Sequence, residues 1–500
     1  MQVELHYSFE KCSFRLIVCS KSVIILLDGI LLDAVQFYCS LLKQLIIEQG
    51  INRMERKILD RFISWKNNKR RKPLLVTGVR QCGKTYLIKE FGEKEFEDMA
   101  YFNFDGNAGL HSIFEYDFDM DRIIGELGSI VLEKKIIPGK TLVVFDEIQD
   151  CPRAIQALKY FCENMPELHL IAAGSLLGVA LRKEGISFPV GKVDRIEMYP
   201  MSFEEFVIAD GGEKYIEGLK KMPLDRKLSE LYTVPLEKYL KNYYIIGGMP
   251  EAVETWVSSH DYKEAEAVQD RILKDYADDF GKHTTPENAT KIKLIWDAIP
   301  TQIARENNKF IFLHVKQGAR AKDLEDALEW IVNAGIAGKL SLVQAPEIPL
   351  AGMVDSTYFK VYMSDVGLLR RKSNINYRTI LEGDDNFISF KGALTENYVY
   401  TQLKSMGIES YFWKTKAEAE IDFITDCEGI LLPIEVKSAD NTKAKSLHLF
   451  CDRYKPKMAV KSSLKNIGNT TDINTHVWSI PLYILFRLKE YIFFEMGWDM

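Results

Sequence analysis

Between residues 73 and 175 the chain alternates short, wholly apolar runs with helical stripes. "PLLVTG" (73–78), "TLVVFD" (141–146) and "LHLIAA" (168–173) are strand-length runs without polar alternation, and helical stretches such as "YLIKEFG" lie between them. Strands buried on both faces read this way, and their alternation with helices predicts a parallel sheet flanked by helices. From 206 to 300 the strands stop and the pattern turns helical. In "RAKDLEDALEWIVNAGIAGKLSLV", Leu324, Ala327, Leu328, Ile331 and Val332 form one helical stripe, and strand-like "KLSLV" and "STYFKVYMSDVG" follow. A helix before a short hairpin predicts a winged-helix unit. From 391 onward the order is helix, three strands, helix, strand.

The first fifty residues differ from the rest. "LIVCSKSVIILLDGILLDAVQFYCSLLKQLII" is apolar enough to raise a membrane helix, yet Lys21, Asp28 and Asp33 interrupt it. Each mid-span aspartate would cost roughly 2.5 to 3.5 kcal/mol on an insertion scale, which argues against a spanning segment. With no small-residue cleavage site behind a short apolar core, a signal peptide is not expected either. Residues 1–53 are expected to be an upstream extension, with Met54 opening the main body.

The organisation predicted is therefore α/β: a P-loop NTPase-type parallel sheet over 54–205, a helical lid or connector over 206–300, a winged-helix-like unit over 301–372, and a second α/β domain over 384–490. A chain of 500 residues, 47% hydrophobic and 27% charged, is long enough for two to four such cores. Its net charge of −6 gives no overall basic field, so nucleic acid would have to be met by a local patch. "KNNKRRK" (66–72) is one such cluster, with a solvated lead-in to a strand as the plainer reading. The eight cysteines show no C-x-x-C and no framework spacing, which fits reduced thiols in a cytoplasmic protein better than disulfides or a cysteine zinc site.

The clearest chemistry is "GVRQCGKT", residues Gly78, Val79, Arg80, Gln81, Cys82, Gly83, Lys84 and Thr85. It matches G-x-x-x-x-G-K-[ST] between a strand and a helix. Glycines let such a loop wrap a phosphate and backbone N–H groups at the helix start face the anion. Lys84 neutralises the β and γ oxygens, and the Thr85 hydroxyl ligates Mg²⁺. Cys82 reads as a small neutral residue there, or as a thiol that a helix N-terminus makes oxidation-sensitive. At the end of the 141–146 run, Asp146 is expected to hold Mg²⁺ and Glu147 to orient or deprotonate the attacking water. Ser175, after the third run, has two readings: a sensor of the γ-phosphate, or the N-cap of the following helix.

"LLVTGVRQCGKT", "VVFDEIQD", "IAAGSLL" and "IEMYPMSFEEF", in this order, resemble the prokaryotic AAA-family ATPases (AAA_14-type) with a C-terminal domain of unknown function, DUF4143. The resemblance spans about Met54 to residue 490 and implies ATP and Mg²⁺ as ligands. The family has Gly-Arg where this chain has Gly191-Lys192, and a lysine lacks the bidentate fork of an arginine. Lys192, Arg182 and Arg195 remain candidates for the basic residue that completes the ATP site. An arginine borrowed from a neighbouring copy would make the chain a homo-oligomer.

The element order from 391 resembles the core of the PD-(D/E)xK nucleases. That resemblance matches Glu396, Asp422, Glu435 and Lys437 to a nuclease site, with Asp422 and Glu435 as metal ligands. The strand period of two sends Glu435 and Lys437 of "IEVKS" to one face beside Asp422. A buried ion pair, or a site keeping the shape without hydrolysis, is the alternative. Two functions follow: an ATPase coupled to a nucleic-acid-directed nuclease-like domain, with DNA as candidate partner, or a nucleotide-dependent regulatory switch whose last domain only binds a partner. The acidic helix face Asp323, Glu325, Asp326 and Glu329 speaks against groove insertion by the winged-helix unit.

Overall fold

The computed structural model describes residues 3–9, 12–19, 22–27, 54–180, 188–282, 284–305, 309–383, 388–415, 419–438 and 445–498. The chain divides into two compact units, Met1–Arg53 and Met54–Met500. In the first, β1 (Val3–Phe9), β2 (Cys12–Cys19) and β3 (Ser22–Leu27) form an antiparallel meander. The apolar run of the sequence thus begins as strands, in keeping with its β-branched residues. Among the described residues no helix is long and apolar enough to cross a membrane.

The second unit holds two sheets. β4 (Leu74–Gly78), β5 (Asp98–Asn103), β6 (Thr141–Asp146), β7 (His169–Ala173) and β8 (Asp194–Met198) form a parallel sheet of order β5-β6-β7-β4-β8. Every residue of β6 and β7 is buried, as the uninterrupted apolar runs require. Because β7 lies between β4 and β6, the phosphate-type loop and the acidic pair leave the same end of the sheet one strand apart. Gly78 is obligatory at that exit. Its φ is +144°, it pairs with Met198, and an added Cβ would lie 2.2 Å from the Met198 carbonyl oxygen.

The second sheet is mixed. β9 (Ala337–Val343), β10 (Val354–Met363), β11 (Ser410–Lys414), β12 (Glu420–Cys427), β13 (Ile430–Val436), β14 (Met458–Ser463), β15 (Gly468–Asp472) and β16 (Thr475–Pro481) run in the order β10-β9-β11-β12-β13-β14-β16-β15. The β9–β10 hairpin, read from sequence as the wing of a separate unit, is continuous with the C-terminal sheet through a parallel pairing at Leu342 and Phe412. Its helix, Ala321–Asn333, packs Leu324, Ala327, Leu328 and Ile331 inward, as the stripe predicts.

Between the sheets lie helices Glu230–Ile246, Pro250–Ser259, Tyr262–Asp279 and Pro286–Ile303. Helix Val366–Lys372, directly after β10, ties them together. Its Arg370 is fully buried and donates to Glu266, to Gln269 Oε1 (2.8 Å) and to the carbonyls of Ile245 (3.0 Å) and Ile375 (2.9 Å). Asp365 caps the same helix. It accepts from Leu368 N (2.8 Å) and from Gly248 N (2.6 Å).

Burial pushes the Asp365 carboxyl from an ordinary 3.8 up to about 6, against the pull of these N–H donors. The folded chain therefore holds this proton more tightly than the unfolded chain. The stabilisation is full below the ordinary value and is lost as pH rises through about 6. Asp365→Asn should accordingly flatten stability against pH across that interval, a span of about 3 kcal/mol at 1.36 kcal/mol per unit. Urea midpoints measured between those pH values check this, and a slope identical to that of the unmodified chain contradicts it.

Candidate active sites

The loop 78–85 closes on itself before helix Lys84–Glu95. Gln81 and Gly83 both take positive φ, which turns the loop around a central space. Lys84 is almost wholly buried and its Nζ donates to the carbonyls of Gly78 and Val79, both at 2.9 Å. An ammonium has three donors, and these two bonds hold it beneath the loop. Thr85 Oγ1 donates to Asp146 Oδ2 at 2.8 Å, joining two motifs 61 residues apart. Tyr101 donates to the same oxygen at 2.6 Å, and burial together with the charges of Asp146 and Glu147 keeps its phenol protonated. Glu147 sits in the left-handed region (φ 51°), an uncommon conformation for a side chain this large and one that clusters at functional sites. Its carboxylate accepts from Gln149.

A cleft of about 440 Å³ opens over the loop, with Arg56, Arg80, Lys84, Thr85, Glu147 and Ser175 in its wall. That volume lies in the range of small-molecule sites. Cys82, by contrast, is buried with its thiol toward the Met198 carbonyl. Lys192 pairs with Glu163 (2.8 Å), and Arg195 stacks over Phe188 with its guanidinium 4.4 Å from the ring centroid. Neither lines the cleft. Arg182 lies outside the described residues. Besides Lys84, the basic groups in the cleft wall are Arg56 and Arg80. Arg56 donates to the Cys82 carbonyl (3.1 Å), the Tyr199 carbonyl (2.6 Å) and Glu205 (3.3 Å), stitching the loop to the "YPMSFEEF" segment. Arg80 pairs with Asp279, Gln81 donates to Asp275 (2.7 Å), and Tyr276 donates to the Arg80 carbonyl (2.9 Å), so helix Tyr262–Asp279 braces the loop from the far side.

In the second sheet, Asp422 and Glu435 come from neighbouring antiparallel strands. Phe423 pairs with Ile434, which sets Asp422 beside Glu435 one step further along. Asp422 Oδ2 accepts from Val436 N at 2.7 Å, and Lys437 Nζ lies 2.7 Å from Glu435 Oε1. Glu435 is 4% exposed and its Oε2 has no partner among the described residues. From helix Ile388–Ser405, Glu396 Oε2 accepts from Tyr362 (2.7 Å) and from Lys360 Nζ (3.4 Å). Burial and the charges of Glu435 and Glu396 drive the Asp422 carboxyl well above the usual carboxylate range, with Lys437 and Lys360 opposing. Burial works to lower the Lys437 pKa, and Asp422, Glu435 and Glu396 raise it further than burial lowers it. The four residues matched from sequence thus act on one another as one electrostatic cluster. Among the described residues no group of three His, Cys, Asp or Glu side chains is disposed to hold a metal ion. A cation here would draw on the Asp422–Glu435 pair, within the one or two carboxylates that Mg²⁺ ordinarily takes from protein. The orphaned Glu435 oxygen fits that role.

The family model of an AAA domain (AAA_14) matches residues 70–207, and that of a domain of unknown function, DUF4143, matches residues 391–485. The chain joins an AAA domain to a DUF4143 domain. A second domain of unknown function, DUF8612, matches residues 237–379 and so spans both the helical region and the hairpin. No curated protein matches the chain. Among solved structures, it is similar to the Aeropyrum pernix ORC2 protein in its ADPNP–ADP complexes, at 11% identity over 65% of this chain and 91% of that one, with a TM-score of 0.30. It is also similar to the protein VC1899 from Vibrio cholerae, at 12% identity over 84% and 97%, with a TM-score of 0.16.

Sequence reasoning missed Arg56 in the approach to the AAA domain, because "MERK" matches no motif. It also missed Lys360, Tyr362 and Glu420 around the DUF4143 carboxylates. A signal for Lys360 was present, since a lysine in the otherwise apolar "YFKVYM" has no solvated face to turn to.

Proposed function

We propose that the chain hydrolyses Mg-ATP in the AAA cleft and couples the nucleotide cycle to a nuclease-like, nucleic-acid-directed site in its C-terminal part. The observation that carries the first half is the 2.8 Å bond between Thr85 and Asp146, which brings a phosphate loop and an acidic strand end to one point. Backbone N–H groups of Val79, Arg80, Gln81, Cys82 and Gly83, in the loop opened by Gly78, receive the phosphates. Lys84 neutralises them and Ser175 contacts the terminal one. Thr85 and Asp146 hold Mg²⁺, which lowers the charge cost at the phosphates when bound. Glu147 takes the proton of the attacking water. In the C-terminal part, Asp422 and Glu435 hold a divalent cation, which would offset charge on a scissile phosphodiester. Lys437 steers the water and Glu396 is held at the rim.

The test is cleavage. The full chain with ATP and Mg²⁺ or Mn²⁺ should cut DNA or RNA, and Lys437→Ala should lose cleavage while it retains ATP turnover. A chain that turns over ATP and cuts neither single- nor double-stranded DNA nor RNA overturns the nuclease half alone. In that case the switch reading takes its place, in which the C-terminal part binds a partner. The grip of Asp275 and Asp279 on Gln81 and Arg80 favours it, because a change in the loop is then felt directly by helix Tyr262–Asp279.

A further inference from the structure

Lys360 lies in the middle of β10 and is 1% exposed. Its Nζ is 2.6 Å from Glu420 Oε1 and 3.4 Å from Glu396 Oε2, and Lys414 takes the other Glu420 oxygen at 3.1 Å. Both oxygens of Glu420 are therefore engaged, and Glu396 Oε2 is shared between Lys360 and the Tyr362 hydroxyl. We infer that Lys360 is a built-in cation standing where a second metal ion would neutralise Glu396 and Glu420, so that the cluster takes one divalent cation, between Asp422 and Glu435. This rests on the metal-dependent reading of the site given above.

Two considerations lead there. A buried ammonium between two carboxylates is a fixed charge, because removing either partner would leave the other ionised and unpaired in a poorly solvated place. The acceptors left for a cation are adjacent: Glu435 Oε2 is buried without a partner among the described residues, and Asp422 uses one oxygen on Val436 N.

Mn²⁺ titration of the full chain without nucleotide, followed by electron paramagnetic resonance, reads the count directly, and Glu435→Gln serves as the blank for ions bound elsewhere. The intact chain should hold one Mn²⁺ more than Glu435→Gln. Lys360→Met should hold one more than the intact chain, as the Lys360 charge no longer stands against Glu396 and Glu420. Two ions more in the intact chain than in Glu435→Gln overturns the inference and leaves metal dependence standing. Equal counts overturn both. A folded Lys360→Met with no added ion also overturns it, and should that variant fail to fold, the count for the intact chain still decides.

Discussion

Replacing Glu147 by glutamine should leave ATP bound and slow its hydrolysis by about 10²- to 10⁴-fold, the usual contribution of a positioned general base. Glutamine preserves the length of the side chain and can still meet Gln149, so the left-handed turn after Asp146 keeps its shape. What it loses is the ability to take a proton. Lys84→Ala should behave differently. The ammonium held beneath the loop by the Gly78 and Val79 carbonyls disappears, and with it the main charge facing the β and γ phosphates. Affinity for ATP should then fall together with turnover. Fluorescent-nucleotide binding and phosphate release, measured on both variants, separate the two roles. Unchanged ATP affinity in Lys84→Ala would remove the loop from the nucleotide site.

Arg370→Met is expected to destabilise the chain by about 3 to 5 kcal/mol, the cost of leaving a buried ionic partner alone. The guanidinium is fully buried and donates to one carboxylate, one side-chain amide and two backbone carbonyls, from three separate stretches of chain. Methionine fills the volume of the stem and satisfies none of them. Glu266 is left without its counter-ion at the inner face of helix Tyr262–Asp279. Equilibrium urea unfolding gives the difference, and a loss below about 1 kcal/mol would show those acceptors to be solvated in place of the arginine. Arg371→Met makes the contrast, since its pair with Asp270 is partly exposed and should contribute little.

The two halves of the chain were unequally legible in the sequence, for a physical reason. A phosphate loop is a contiguous object: Gly78 through Thr85 carry their own turn, helix start and charge, so eight adjacent letters announce it. The register of strands is also local enough that "IEVKS" predicts its own face, and Asp422, Glu435 and Lys437 do act on one another. Partners that arrive from far along the chain left no comparable trace. Arg56 meets the Tyr199 carbonyl across 143 residues, and Lys360 meets Glu396 across 36. The hairpin 337–363 has a long-range link of the same silent kind. Helix and two strands are what a winged helix contains, and only the long-range pairing of Leu342 with Phe412 joins them to a larger sheet. Of the basic candidates left open in the sequence, Lys192 pairs with Glu163 and Arg195 lies over Phe188, contacts that no motif announces.

The pairing of Leu342 with Phe412 bears on how this molecule can be dissected. A fragment cut to the nuclease-like pattern, residues 384–490, would leave β11 as a bare sheet edge with its N–H and C=O groups open to other chains, a template for aggregation. It would also arrive without Lys360 and Tyr362, so Glu396 would lose two donors that hold it and Glu420 would lose the Lys360 ammonium. Silence from such a fragment in a cleavage assay would therefore report on the cut, whereas a fragment that begins ahead of β9 carries the complete charge cluster into the tube.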